Sequence, residues 1–373
     1  MSIELTFNGQ NELLTSESMT NYDENGERMS SLCFITRQSR LCGKTIPTLT
    51  IGGVGTEPQY RRRGTVRQML ERLFAMAPER GWAVSLLHPF SFSYYRKFGY
   101  EKVADHKVLE FPIAKLDCFE RCSDLVPVNS PARAADCVEV YNRFSEQRNI
   151  MFPRAGGDPY PAAGHDGAST YLWYDAAGRP ASCITLAVDK YYSVNRMISV
   201  NLQVYEMSFT TPESLRALFG FMRMFEGEND TVKLHNCAMS PEIDLMLRHY
   251  MHTSYTLLPD LAARVLDVPA VLDVCRYPDE HGYFSLEIAD TLSYTAGCYG
   301  VEFQNGRAEI TRLPDGSSCD ALLPMPAFSQ ILYGYEDITP ALLPYLEGVK
   351  LHKRDSDLFR VFHRQPCGLY EHF

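Results

Sequence analysis

The run Val54-Gly55-Thr56-Glu57-Pro58-Gln59-Tyr60-Arg61-Arg62-Arg63-Gly64-Thr65-Val66-Arg67 constrains this chain more than any other. Before it, Thr48-Leu49-Thr50-Ile51-Gly52-Gly53-Val54 is rich in β-forming residues, and after it Val66, Met69, Leu70, Leu73 and Phe74 recur at helical spacing. The segment predicts a strand that enters a basic, glycine-bearing loop and leaves it as a helix. A helix N-terminus carries unpaired backbone N–H groups and a partial positive charge, so Arg62, Arg63 and Arg67 placed there add guanidinium donors to main-chain ones. Gly64 lets a ligand approach the backbone. An arginine cluster alone is ordinarily a solvated face; the strand before it, the helix after it and the glycine within it favour a phosphate site.

Downstream, a strand at Ala83-Val84-Ser85-Leu86-Leu87 leads to His88-Pro89-Phe90-Ser91-Phe92-Ser93-Tyr94-Tyr95-Arg96-Lys97-Phe98-Gly99-Tyr100. The basic loop resembles the Arg-x-x-Gly-x-(Gly/Ala) signature of the GNAT acetyltransferases, with Val66 where Gly or Ala is usual, and the run ending at Tyr100 resembles their Tyr-x-Lys-Phe-Gly-Tyr element. With the aromatic end Leu369-Tyr370-Glu371-His372-Phe373, these features make most of the chain similar to the Eis-like (enhanced intracellular survival) N-acetyltransferases. The resemblance implies an α/β and α+β fold: tandem GNAT-type domains of mixed twisted sheets with flanking helices, then a sterol-carrier-protein-like α+β domain.

The rest of the sequence is organised accordingly. Residues 1–118 form the expected N-terminal GNAT domain, with strands at Ser30–Thr36 and Thr48–Val54. Residues 119–262 form a second αβ unit, where Ala134, Cys137, Tyr141 and Phe144 mark a helix face. Strands follow at Tyr171–Tyr174, Ser182–Val188 and Ser199–Ser208, then a helix with Thr211 at its N-cap and Pro212 at N1. No Arg-x-x-Gly loop accompanies that unit, so it is read as a GNAT-like domain without its own acetyl-CoA site, an unrelated αβ domain being the alternative. Residues 263–373 are read as the sterol-carrier-like domain, with a helix at Val268–Cys275, a strand at Tyr283–Ile288, and a hairpin turning at Asn305-Gly306. Helical segments are expected at Pro326–Tyr333 and Pro340–Glu347. A GNAT domain also begins with a strand and helices that wall the acceptor pocket. Here Met1–Glu27 reads as polar with a turn at Asn21–Gly26, so the first domain is expected to be shortened at its start.

The resemblance assigns chemistry residue by residue. An amine is mostly an ammonium ion at neutral pH and must lose a proton before it attacks a thioester, while the leaving thiolate needs an acid. Tyr95 falls on the family's proton-donating tyrosine, next to Tyr94, and Phe373 on the last residue, whose α-carboxylate is the family's base. A phenol, ordinarily near pKa 10, holds its proton at pH 7 and suits the acid role. A packed aromatic at Tyr95 and a frayed tail at Phe373 are the structural alternatives. Acetyl-CoA, the co-substrate, is expected against Val54, Gly55, Thr56, Arg62, Arg63, Gly64, Thr65, Val66, Arg67, Phe90 and Ser91, with the splayed strand at Val54–Thr56 supplying N–H groups to pantetheine and the thioester carbonyl. Direct transfer in a ternary complex follows, because Cys33, Cys42 and Ser91 lie in no nucleophile motif.

Composition narrows the partners. A formal net charge of −10 argues against nucleic acid and suits a cationic small-molecule acceptor, aminoglycoside-like or polyamine. Eleven cysteines scattered from Cys33 to Cys367 read as reduced thiols, and the close pair Cys118 and Cys122 lacks a second ligand pair, so no metal is expected. Apolar runs are too short to span a bilayer and Met1–Leu5 lacks a signal-peptide pattern, so cytoplasmic location is the expectation. The resemblance also implies a homo-oligomer, hexamers being known among Eis-like proteins. The competing function is an impaired acetyl-CoA- or lipid-binding protein, the latter through the third domain.

Overall fold

A computed structural model describes residues 2–155, 165–192, 198–247, 251–371 and 373. It divides into two compact units: Met1–Ala104 with Asp260–Cys367 and Glu371–Phe373, and Asp105–Pro259 with Gly368–Tyr370. Three successive domains breaking near residues 118 and 262 were the sequence expectation; instead, 260–367 gathers with the first 104 residues. The reason is long-range pairing that no local pattern carries.

The first unit opens with β1 (Ser2–Gln10), β2 (Leu14–Tyr22), β3 (Arg28–Leu41) and β4 (Lys44–Thr56), an antiparallel meander. Residues 2–27 are therefore a hairpin and the turn that follows it; the turn read at Asn21–Gly26 is present, with the Gly26 N–H donating to the Asp23 carbonyl, whereas the two strands were not read from sequence. The signal is hidden because β1 is exposed along almost its whole length and β2 buries polar Glu17 and Asn21 alongside Met19. Glu17 takes both guanidinium nitrogens of Arg80 at 3.0 and 3.1 Å, and the Asn21 amide nitrogen donates to Gln68 at 3.0 Å.

The chain then forms α1 (Thr65–Arg80) and β5 (Val84–Leu87), and β5 pairs parallel with β4 from Thr48↔Val84 to Ile51↔Leu87. The α1 stripe read from sequence is buried at Val66, Met69, Leu70, Leu73 and Phe74. Pro78 lies inside α1 and has no N–H to give the Phe74 carbonyl. Tyr294 supplies that donor through its hydroxyl, at 2.8 Å. A short α2 (Phe92–Arg96) follows, and then β6 (Glu101–Pro112), within which the boundary between the units falls.

The second unit contains β7 (Val126–Pro127), α3 (Pro131–Ser145), β8 (Ser169–Tyr174), β9 (Pro180–Tyr192), β10 (Ile198–Phe209), α4 (Pro212–Arg223), β11 (Thr231–Leu234) and α5 (Pro241–Leu247). Its strands run in the order β6-β11-β10-β9-β8-β7, with β10 and β11 parallel and the other pairs antiparallel. Thr211 caps α4 in a reciprocal capping box with Ser214, as its position before Pro212 predicts. The first unit has the same scheme, a meander ending in a parallel pair bridged by a helix, so one pattern of elements occurs twice.

The chain returns to the first unit at Asp260, within β12 (Ser254–Val265), and continues with α6 (Val268–Asp273), β13 (Gly282–Ala289), β14 (Gly297–Gln304), β15 (Arg307–Leu313), β16 (Ala321–Pro324), α7 (Met325–Leu332) and β17 (Lys350–Leu351). Ala262–Val265 of β12 pairs antiparallel with β5, adding a sixth strand beside β1-β2-β3-β4-β5. The remaining five strands form a separate sheet ordered β15-β14-β13-β16-β17. Asn305 and Gly306 take φ of 53° and 72°, the left-handed pair a two-residue I′ turn requires, as their identity predicts. The helix expected at Pro340–Glu347 is only a 3-10 turn at Leu343–Tyr345, because Pro344 cannot donate to the Pro340 carbonyl. No described helix is long and apolar enough to cross a membrane.

A candidate active site on the splayed strand of the first unit

The basic loop is held from below. Tyr60, at the end of a 3-10 turn, donates its hydroxyl to Asp23 at 2.7 Å, and Glu27 lies 3.4 Å from it. The Asp23 hydrogen bond pushes the phenol up to about 12 and lowers the Asp23 carboxyl in return. Arg28 pairs with Glu57 at 2.6 Å across the loop base. Anchored there, the chain puts Arg62 in the left-handed region at φ 62° and Gly64 at φ 79° as the N-cap of α1. Glycine has no side chain to accept from the first turn, and no acidic residue occupies that turn. The opening N–H groups of α1 therefore have no side-chain cap and no acidic neighbour in the first turn, the arrangement in which a helix N-terminus can take an anion.

A cavity of about 890 Å³ opens on this loop, lined by Val54, Gly55, Thr56, Arg61, Arg62, Gly64, Thr65, Val66, Arg67, Phe90, Tyr94, Lys97 and Phe98. Nine of the eleven positions expected to hold acetyl-CoA are among its walls. The exceptions have other work. Arg63 lies over the Tyr60 ring at 5.4 Å, and Ser91 caps α2 by accepting from the Tyr94 N–H at 3.3 Å. Sequence reading passed over Lys97 and Phe98, although both lie in the quoted Tyr95-to-Tyr100 run, and Arg61, which begins the loop.

Strand splay supplies the second half of the site. Pairing of β4 with β5 ends at Ile51↔Leu87, whereas pairing with β3 continues to Ser30↔Thr56. Past Ile51, the β4 edge turned away from β3 has no described strand partner, leaving a splay beside Val54–Thr56 of the kind an extended ligand can pair with. Gly53 takes φ 59° where the β3–β4 register shifts.

α2 places Tyr94 and Tyr95 in sequence, so they face differently. Tyr94 lines the cavity; Tyr95 is 2% exposed and packs edge-on against Phe90, Tyr94 and Tyr100 at centroid distances of 5.5, 5.2 and 5.9 Å. Burial pushes the Tyr95 phenol up to about 12. The turn after Tyr95 is gripped by Arg264, which is fully buried and donates to the Phe98 carbonyl and to Asp290, the latter at 2.6 Å. Gly99, at φ 84°, leaves room for that guanidinium.

The chain end also reaches the strand. A Cβ built on Gly52 would lie 3.0 Å from both the main-chain carbon and oxygen of Phe373. The Phe373 ring lies 4.9 Å from the His88 ring, and His88 Nδ1 lies 3.0 Å from Asp260 Oδ1. Sequence reading missed the His88–Asp260 pair. Its members are 172 residues apart, and neither belongs to a short motif.

In the second unit, the opening beyond the last parallel pair, Val204↔Leu234, is filled by the chain's own Gly368–Tyr370. The Tyr370 hydroxyl donates to the Met207 carbonyl at 2.7 Å and accepts from the Met207 N–H at 3.3 Å, while Asn236 donates to the Leu369 carbonyl. That unit has a larger cavity elsewhere, about 1130 Å³, but Arg121 and Arg216 there are mixed with Glu120, Asp124, Glu213 and Glu242 and no arginine–glycine loop contributes.

Comparison with known proteins agrees with the geometry. Residues 6–103 match the family model of an acetyltransferase (GNAT) domain. The chain is 24% identical over 281 residues to the N-acetyltransferase Eis of Mycobacterium tuberculosis, a match covering 71% of this chain and 66% of that relative's length. Among solved structures, a GCN5-related N-acetyltransferase from Anabaena variabilis superposes with a TM-score of 0.78 at 17% identity, covering 95% of this chain and 89% of its own. Eis1 from Mycobacterium abscessus gives a TM-score of 0.75 at 16% identity, with coverage of 95% and 90%. The fold is therefore that of the GCN5-related N-acetyltransferases.

Proposed function

We propose that this protein is an acetyl-CoA-dependent N-acetyltransferase of the Eis-like kind, moving an acetyl group directly to a primary amine of a cationic small molecule. One observation carries the reading: a splayed strand edge, an arginine-bearing helix N-terminus and an aromatic wall line a single cavity. In this reading the N–H groups of Gly64–Arg67 and the guanidinium groups of Arg62 and Arg67 hold the pyrophosphate, with Lys97 adding a third cation. Val54–Thr56 pairs with the pantetheine arm and aims N–H groups at the thioester carbonyl, where negative charge develops. Phe90, 74% exposed, closes over that arm.

Proton transfer falls to two groups. Tyr95 gives its proton to the departing thiolate, and the Phe373 carboxylate takes one from the acceptor ammonium. Tyr94 is the second candidate for the acid, because it is the tyrosine on the cavity wall. Asp260 and the Phe373 carboxylate concentrate negative charge at the end of β5, which suits a polyamine or aminoglycoside-like acceptor. No acyl-enzyme forms, and attack occurs in a ternary complex. The second unit has no acetyl-CoA site of its own because Gly368–Tyr370 fills its splay.

The test is release of free CoA thiol from acetyl-CoA across a panel of polyamines and aminoglycosides. Turnover with at least one amine is expected. Deleting Phe373, or adding one glycine after it, moves the carboxylate and should lower kcat about 100-fold while acetyl-CoA affinity stays within about threefold. Unchanged kcat in both variants would remove Phe373 as the base. Binding of acetyl-CoA without turnover on any amine would favour the binding-protein reading.

A further inference from the structure

The tip of the β3–β4 hairpin is docked onto the segment that follows α6. Lys44 Nζ donates to the Asp273 carbonyl at 3.2 Å, and Arg276 Nε donates to the Cys42 carbonyl at 3.2 Å. Between these anchors the Cys42 and Cys275 thiols hydrogen-bond each other. Cys42 is half-buried and takes φ 53°, first of the left-handed pair Cys42-Gly43 that turns the hairpin; Cys275 is buried, its thiol 3.3 Å from the Val271 carbonyl. A partly exposed cysteine, a buried cysteine hydrogen-bonded to it and two flanking cations are the arrangement of a reactive cysteine pair.

We infer that Cys42 and Cys275 form a peroxide-sensitive dithiol that oxidises to a disulfide, stapling the β3–β4 hairpin to the end of α6. The hydrogen bond from Cys275, aided by the Arg276 backbone and the charges of Arg276 and Lys44, outweighs burial and holds the Cys42 thiol below its ordinary range, so it presents the thiolate first. That thiolate attacks one oxygen of hydrogen peroxide; the O–O bond breaks, and the departing hydroxide is protonated to water, leaving Cys42 as a sulfenic acid. Cys275 then loses its proton and attacks the Cys42 sulfur, the S–O bond breaks, and the second oxygen leaves as water. Two thiols lose two electrons and one peroxide becomes two waters.

Two other thiol pairs serve as internal comparisons. Cys137 with Cys183, and Cys298 with Cys319, also hydrogen-bond side chain to side chain. All four are buried. The Cys183 hydrogen bond, with burial, pushes Cys137 up, and burial pushes Cys319 up to about 12, so neither offers a ready thiolate. Among these three pairs, Cys42–Cys275 combines access with activation.

The experiment treats the full-length chain with one to five equivalents of hydrogen peroxide at pH 7.5, blocks remaining thiols, and maps peptides by mass spectrometry without reduction. The expected result is a Cys42–Cys275 cross-linked peptide, 2 Da lighter than the sum of its reduced parts. It should form at least tenfold faster than any Cys137–Cys183 or Cys298–Cys319 product and vanish with dithiothreitol. Closing so long a loop should raise the thermal midpoint by about 5 °C or more. In Cys275→Ser, Cys42 should stop at the sulfenic acid, trapped by dimedone, which keeps the test open even if one variant folds poorly. Absence of the cross-link in the wild-type protein, or its appearance first at another pair, would overturn the proposal.

Discussion

Replacing Tyr95 by phenylalanine should lower kcat by about 100- to 1000-fold while leaving acetyl-CoA affinity within about twofold. The substitution removes one oxygen from a ring held on several sides by Phe90, Tyr94 and Tyr100, so packing is kept and the change is confined to the proton it carries. Tyr94→Phe should cost only a few-fold; a reversal of the two results would transfer the acid role to the tyrosine on the cavity wall. The pH profile adds a check. Burial raises the Tyr95 phenol to about 12, so the donating form persists below that value and is lost only as pH rises through it. Between pH 6 and 9 the kcat profile should therefore show no basic limb from Tyr95. A limb near pH 9 that disappears in Tyr95→Phe would contradict the assignment of this environment to the acid.

Arg264→Met should be the most destabilising single change in the first unit. Arg264 and Asp290 are 0% and 3% exposed on their residue and side chain respectively, and their contact is 2.6 Å. Thr295 and the Thr291 N–H also donate to Asp290, at 2.5 and 2.7 Å. Removing the cation leaves a buried carboxylate without its charge partner, a loss of about 3–5 kcal/mol for such pairs. For a unit of this size the thermal midpoint should fall by about 10 °C, read by calorimetry. Adding Asp290→Asn should recover part of that loss, because the residual charge is then gone. If Arg264→Met melts within about 2 °C of the wild type, the pair does not hold the Phe98–Gly99 turn as described.

The contrast between what could and could not be read from sequence has a physical basis. The α1 stripe, the Thr211 cap and the Asn305-Gly306 turn are local devices, each decided by a few adjacent residues, and all three are found where the pattern puts them. β1 is different. Most of its side chains are exposed, so there is no alternation to detect, and β12 is exposed through its first half before burying Leu261–Val265. The site divides the same way. Loop, helix and strand edge are contiguous in sequence and most of them were expected at the cavity, whereas His88 and Asp260 meet only through folding. Arg63 shows a subtler limit: the basic triplet does not reveal that its guanidinium lies 5.4 Å from the Tyr60 ring.

The central claim is that the cavity at the α1 N-terminus binds acetyl-CoA, and isothermal titration of acetyl-CoA into the 373-residue chain tests it without requiring the acceptor. The account predicts saturable binding with a Kd of about 1–100 μM, weakened at least tenfold by Arg62→Ala or Arg67→Ala and further by added salt. No saturable heat, or an affinity indifferent to both substitutions, would contradict it.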